Sequence, residues 1–323
     1  MIFTYFYKQR LKFPHCYTRY FSFMSIFCVR KKIELINFLK DIKISRPGLW
    51  FPTVWIYLVP FSLETSFWEQ PIFWIGLFFV TFPLNYLVYG LNDYNDIASD
   101  KVNDRKGNFL FGAKASQEHL TKVPKKIALV LLPFIIYFTF LSGVYMLLLL
   151  AFMIVINIIY NFKPFRIKER PPFEICIQIG YVFTAFFSVL LNDLTMIPWQ
   201  TILYLTLFAF QAHIAGEIMD IEPDRLANKK TTATLIGRKN TKYLMLVLLL
   251  LETYILAIWF QDYILAGFLG IFSIWLLLDV FVFFKEKPYS VAQMKLFGIA
   301  MNLSALASML WALYSGKLLH PVF

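Results

Sequence analysis

The sequence is short of the residues that cross-link or ligate in small folds. Its three cysteines, Cys16, Cys28 and Cys176, form no CxxC pair and are too scattered for a disulfide framework or a zinc site, and its four histidines are equally dispersed. Charge is scarce as well. Asp, Glu, Lys and Arg make up 16% of the 323 residues against 59% hydrophobic residues, with a mean hydropathy of +0.61. That balance excludes an ordinary soluble or disordered chain and points to an all-α integral membrane protein. The net charge of +11 would suggest nucleic acid in a soluble domain, but in a membrane protein it is first a topology signal, and no nucleic-acid partner is expected.

Apolar runs of about 20 residues read as spanning helices. They fall near 47–63, 71–91, 126–142, 144–160, 173–191, 198–219, 242–260, 263–284 and 293–315, which makes nine; the division at Ser142-Gly143 is the closest. Ten Lys and Arg precede the first run, and seven, four, six and three follow the second, fourth, sixth and eighth. The loops after the odd-numbered runs before the ninth carry none, and Lys317 alone lies in the tail. Thirty of the thirty-one cations therefore share one side, which the positive-inside rule makes cytosolic or its organellar equivalent. The N-terminus is expected inside and the C-terminus outside.

Residues 1–45 read as a basic, amphipathic segment on that same side, and 46–323 as one polytopic domain. Residues 1–33 hold seven basic residues, no acid and interleaved aromatics. They read either as a segment lying on anionic lipid or, over 1–32, as a transit segment, with translation from Met24 a further alternative. The membrane is accordingly a bacterial inner membrane, or an organellar one if the leader is a transit segment.

The acids are few but ordered. Asp93, Asp96 and Asp100 in NDYNDIASDKVNDRKG are spaced by three and then four residues, and Glu217, Asp220 and Asp224 repeat that spacing in GEIMDIEPDR. On a helix such acids stack on one face and repel, so the arrangement implies a cation, and oxygen donors favour Mg²⁺ or Mn²⁺. Both clusters end an even-numbered run on the cationic side, beside Lys101, Arg105, Lys106, Arg166, Lys168, Arg225, Lys229 and Lys230. Two carboxylate groups and surrounding cations are what a metal-bridged diphosphate needs, and the hydrophobic bundle would keep water from a carbocation.

Asn92, Asp93, Asp96 and Asp100 as NDxxDxxxD, with Asp220 and Asp224 as DxxxD, resemble the two signature motifs of the UbiA superfamily of intramembrane prenyltransferases. Arg46-Pro47 before the first run, the KxNxRKG stretch at Lys101–Gly107, Tyr160 with Arg166 and Lys168, and DIEPDR followed by TTATLIGR match in the same order. The resemblance implies a nine-helix bundle around a central cavity open to lipid, and a prenyl diphosphate held by two Mg²⁺ ions. It also implies ionisation to an allylic cation and attack by a lipophilic acceptor. By the same resemblance Asn92, Asp93 and Asp96 would ligate one ion, Asp220 and Asp224 the other, and Asp100 would be a ligand or support one. Arg46, Asn92, Lys101, Arg166, Lys168, Arg225 and Lys229 would hold the diphosphate, with Tyr160 near the reacting carbon.

The sequence departs from the family at Asp104, where Pro is frequent, at Asn228, where Gly is frequent, and at Lys163 in the longer loop after Tyr160. Pro223 lies inside the second motif and could kink it. Gln211 and His213, within two turns before Asp220, are the expected acceptor-side residues, whereas Glu252 and Asp279 lack motif support and read as helix-packing groups. By the same resemblance the acceptor would be a carotenoid, quinone precursor, hydroxybenzoate or chlorophyll-like molecule. A terpene cyclase on the same scaffold would need no acceptor. An ion-coupled transporter is the reading from a different class, but transporters keep coupling acids near the midplane.

Overall fold

The computed structural model describes residues 34–64 and 66–323, and the expectations for residues 1–33 and for Met24 lie outside them. Two compact units are separated after Asp41. In the first, residues 34–41 are helical. The second, Ile42–Phe323, is all-helical; among the described residues its only β pairing is an isolated bridge between Asn108 and Gly112.

The main helices are α1 (Phe51–Leu58), α2 (Pro71–Asn95), the short α3 (Ile97–Val102), α4 (Val123–Asn161), α5 (Phe183–Asn192), α6 (Trp199–Leu226), α7 (Thr232–Ile258), α8 (Tyr263–Leu278) and α9 (Val291–Ser315). Seven helical stretches among the described residues are long and apolar enough to cross a membrane, and Phe51–Phe61 is a shorter apolar helix. The α4 stretch is interrupted at Gly143, which has φ 73° and ψ −163°, so it supplies two of the expected spans. With that division and the short first helix, the described residues carry the nine expected apolar helical segments.

The first span is the least regular. Pro47, Pro52 and Pro60 each remove a donor, and the α-helix contracts to Phe51–Leu58 between 3₁₀ turns. This short helix nevertheless joins the two halves of the core. Tyr57 and Phe61 pack with Phe73, Phe138 and Phe187 from α2, α4 and α5, while Trp55 and Ile56 pack with Val182, Leu205 and Leu256. The Tyr57 hydroxyl donates to Phe73 O at 3.0 Å, and Thr53 Oγ1 donates to Val80 O at 2.7 Å. Asn85, fully buried, donates to Thr53 Oγ1 and to two carbonyls of its own helix, so it acts in packing.

Close approach of α2 to α1 needs Gly76, where a Cβ would meet the Tyr57 hydroxyl and, at 2.7 Å, Leu191 Cδ2. Large apolar side chains such as Phe140, Tyr145, Leu148, Ile271 and Leu303 remain exposed on the helices, as lipid-facing positions must. Of the intramembrane acids, Asp279 is paired with the fully buried Lys242 at 2.6 Å, and Glu252 is fully buried with neither carboxyl oxygen bonded.

Candidate active site

The first acidic motif does not occupy one continuous helix. α2 ends at Asn95, Asp96 takes φ −113° and ψ 20°, and α3 starts afresh at Ile97. The expected single stacked face is therefore corrected: the break turns Asp96 away from the partners of Asp93 and Asp100. Asp93 and Asp100 share the Lys106 ammonium, at 2.6 Å and 2.5 Å, and Arg46 reaches Asp93 at 2.8 Å. Asp96 instead faces Lys168 at 2.6 Å and Lys229 at 2.7 Å, with Arg166 at 3.4 Å.

Arg46 reaches inward because the residue before Pro47 adopts a left-handed turn, φ 53°, and its guanidinium then lies over the Tyr89 ring, 4.6 Å from the centroid. Lys168 is placed by the 3₁₀ turn Ile167–Glu169 and is steadied by Asn161 Oδ1 at 3.1 Å.

The second motif stays helical. α6 runs through Pro223 to Leu226 as one helix, so Asp220 and Asp224 remain one turn apart on one face. Asp220 accepts from Arg105 and, at 3.0 Å, from Asn103 Nδ2, while Asp224 lies 3.6 Å from Lys229. Arg105 and Lys229 thus tie the two motifs together across more than a hundred positions of chain. Both motifs lie at the same end of the bundle, as their placement after even-numbered runs on the cationic side requires.

Burial and charge act on these groups together. Burial works to raise the Asp96 carboxyl, but the Lys168 and Lys229 ammoniums hold it down at about 2. Burial pushes Lys168 down to about 8 against the pull of Asp96. Asp100 is pushed up to about 6 by burial, with Lys106 drawing it back.

A cavity of about 300 Å³ opens beside these groups. Asn92, Asp96, Asp100, Asp220 and Asp224 line it with Arg46, Arg105, Lys106, Lys168 and Lys229. Farther along, its walls are apolar and aromatic: Val88, Tyr89, Ile156, Tyr160, Tyr181 and Phe208. His213 lines it as expected of an acceptor-side residue, whereas Gln211 does not.

Asp93 lies behind the wall, 1% exposed, covered by the cations it binds. Arg166 also stays outside the lining, between Asp96 and Glu169. Lys101 and Arg225, expected on the diphosphate, are instead exposed and away from the cavity, and Arg105 and Lys106 stand in the positions expected of them. Asp104, the departure beside them, is an exposed partner of Lys114 at 3.7 Å.

Sequence reasoning missed Tyr89, Tyr181 and the Asn103 link to Asp220. Tyr89 could have been found, since it lies three residues before Asn92 on the same helix face.

The donor set fits a hard divalent cation. Every candidate ligand is an oxygen, from five carboxylates and the Asn92 amide, and Asp93 Oδ2 is buried with no hydrogen-bond partner. Among the described residues no three Asp, Glu, His or Cys side chains converge tightly enough to hold an ion unaided. Substrate oxygens would have to complete the coordination, as is usual for Mg²⁺ on phosphates.

Residues 49–314 match the UbiA prenyltransferase family. The lycopene elongase/hydratase of Corynebacterium glutamicum is 29% identical over 215 residues, covering 64% of this chain and 72% of its own. The C(50) beta-cyclic carotenoids biosynthesis protein LbtBC of Dietzia sp. is 28% identical over 198 residues, 60% of this chain and 45% of its own. A UbiA homolog from Archaeoglobus fulgidus, solved with DMAPP and Mg²⁺, superposes with a TM-score of 0.61 at 16% identity, covering 84% of this chain and 99% of that one. At that identity the likeness carries the fold alone.

Proposed function

The chain belongs to the UbiA prenyltransferase family and is a multi-pass membrane prenyltransferase; from that premise we propose that it transfers a prenyl group from a short allylic diphosphate to a carotenoid-like polyene. The observation that carries this reading is the joining of two acidic motifs by Arg105 and Lys229 at the charged end of a cavity whose remaining walls are largely apolar and aromatic. The acceptor class is supported by the relatives named for lycopene elongation and C(50) carotenoid synthesis.

The carboxylates and cations around the cavity nearly balance one another, so a diphosphate arriving alone would strip cations from buried carboxylates, which is costly. Arriving with divalent ions, it exchanges partners instead. Asn92, Asp93, Asp96, Asp100, Asp220 and Asp224 would turn to two Mg²⁺ ions, and Arg46, Arg105, Lys106, Lys168 and Lys229, with Arg166 behind them, would turn to the phosphate oxygens. Bound Mg²⁺ supplies charge stabilisation for the departing diphosphate.

The chain's own residues do the rest. The lysines and arginines fix the leaving group and neutralise it as the C–O bond breaks. The apolar walls exclude water from the allylic cation. Tyr160, at the boundary between the polar and apolar ends, offers a ring to the cationic carbon. The acceptor's double bond then attacks, forming the new C–C bond.

The test uses purified protein in lipid vesicles with Mg²⁺, dimethylallyl, geranyl, farnesyl or geranylgeranyl diphosphate, and lycopene. Pyrophosphate release that depends on lycopene and is abolished by EDTA, with a product heavier by one prenyl unit, is expected. Release without lycopene, accompanied by a cyclised hydrocarbon, would replace the transferase with a cyclase. No release with any diphosphate would remove the enzymatic reading.

A further inference from the structure

Attack by a double bond leaves the positive charge on the acceptor, so the reaction is complete only when that cation loses a proton or captures water. Resting on the prenyl-transfer reading, we infer that His213, oriented by Glu217, is the base that ends the reaction by removing a proton from the carbon beside the new cation.

His213 lines the cavity on α6, seven residues before Asp220. Two helical turns keep both residues on one face and set them about 10 Å apart along the axis. That offset carries His213 past the phosphate-binding end into the part of the cavity where carbon chemistry takes place. The Tyr160 ring stands edge-on to it, with centroids 6.4 Å apart.

The dyad is built from both sides. His213 Nε2 lies 3.1 Å from Glu217 Oε1, and the other oxygen of that carboxylate accepts the Ala233 N–H at 3.0 Å, in the first turn of α7. Glu217 is 6% exposed, and Thr232 in the same turn is held separately by Glu174 through its N–H at 2.6 Å. The carboxylate therefore cannot swing away, and it selects the imidazole tautomer that carries its proton on Nε2. Nδ1 is then the basic nitrogen, and among the described residues no partner holds it.

The other groups lining the cavity are poorly suited to the task. Asp96, Asp100, Asp220 and Asp224 face cations, the lysines and arginines are the donors in those pairs, and the phenols of Tyr89, Tyr160 and Tyr181 are weak bases. Both oxygens of Glu217 are in use, and His213 is the sole histidine lining the cavity among the described residues.

In the step itself, a C–H bond adjacent to the cation breaks and its electron pair becomes the new C=C bond. The proton passes to His213 Nδ1, and Glu217 balances the imidazolium charge. The proton leaves to water when the product departs. His213 is thus a catalytic residue and Glu217 a positioning residue.

Vesicles holding the wild type, His213→Ala, His213→Gln or Glu217→Gln would be supplied with dimethylallyl diphosphate, Mg²⁺ and lycopene. Pyrophosphate and prenylated products would be measured together, the alcohol being distinguished from the alkene by the mass of one water. In both His213 variants the alkene formed per pyrophosphate released is expected to fall at least about tenfold, with alcohol taking its share. Glu217→Gln should move the same ratio in the same direction by less. Variants that melt like the wild type and keep its alkene-to-pyrophosphate ratio would overturn the assignment. So would a wild type that forms only alcohol. A wild type that releases no pyrophosphate from any prenyl diphosphate would instead overturn the prenyl-transfer reading itself.

Discussion

Lys229 Nζ lies 2.7 Å from Asp96 Oδ2, so a lysine that follows the second motif is bonded to the central acid of the first, 133 positions away. Lys168 holds the other oxygen of the same carboxylate. If both ammoniums pass to the diphosphate when substrate binds, Lys229→Met removes one charge-assisted bond, a loss of about 1.5–3 kcal/mol. Pyrophosphate release at subsaturating diphosphate should fall roughly 10- to 100-fold. Because Lys168 remains on Asp96, the melting temperature should change little.

Asp93 has one oxygen bound to Arg46 and Lys106 and the other buried without a partner. Asp93→Asn keeps the shape and removes the charge a metal would need, and Asp220→Asn does the same in the second motif. Turnover should drop by at least about a hundredfold in each variant, with no rescue by raised Mg²⁺. Both proteins should still insert and elute as the wild type does in detergent. Wild-type turnover in both variants would refute the assignment of these carboxylates.

Lys101 and Arg225 provide the contrast, since both are exposed and outside the cavity lining. Replacing either with Ala is expected to leave the diphosphate KM within about twofold, because surface charges away from a site contribute little. Arg105→Ala and Lys106→Ala, only a few positions from Lys101, should each raise it by tenfold or more on the scale of a lost charge-assisted bond.

Tyr160 tests whether a ring or a hydroxyl serves the cation. If the ring acts, Tyr160→Phe should retain most of the rate, while Tyr160→Leu loses up to about 2 kcal/mol of cation–π stabilisation, roughly thirtyfold. Equal losses in the two variants would assign the role to the hydroxyl. Single-turnover rates at saturating diphosphate separate the two outcomes.

Gly76 concerns stability rather than chemistry. Any Cβ there meets Tyr57 and Leu191, so Gly76→Val forces α2 from α1, at a cost of about 1–3 kcal/mol. A lowered melting temperature in detergent, with the diphosphate KM retained in the folded fraction, is the expected result.

What the sequence by itself determined was whatever depends on local, additive quantities. Apolar run length and the one-sided placement of Lys and Arg were enough for nine helical segments, because burying a helix in lipid is favoured residue by residue. A division near Gly143 was the least distinct of the boundaries, drawn because the apolar run is too long for one crossing, and the left-handed φ of 73° that interrupts the helix there belongs to the folded backbone. The ordered motifs likewise singled out the acids, Arg46, Lys168 and Lys229, which the structure gathers at one end of the bundle.

Only the tertiary structure decided which of these side chains meet. The helix break at Asp96 changes the phase of everything after it: α3 stops at Val102, Asn103 takes extended angles, and Asn103, Arg105 and Lys106 turn inward while Lys101 faces out. In α6 the opposite holds. The helix continues through Pro223, so Arg225, about 100° around from Asp224, points away from the cavity. The Asp96–Lys229, Asp220–Arg105 and Glu217–Ala233 bonds each depend on which helix ends become neighbours. No periodicity within a single segment carries that information, because it belongs to the packing of one helix on another.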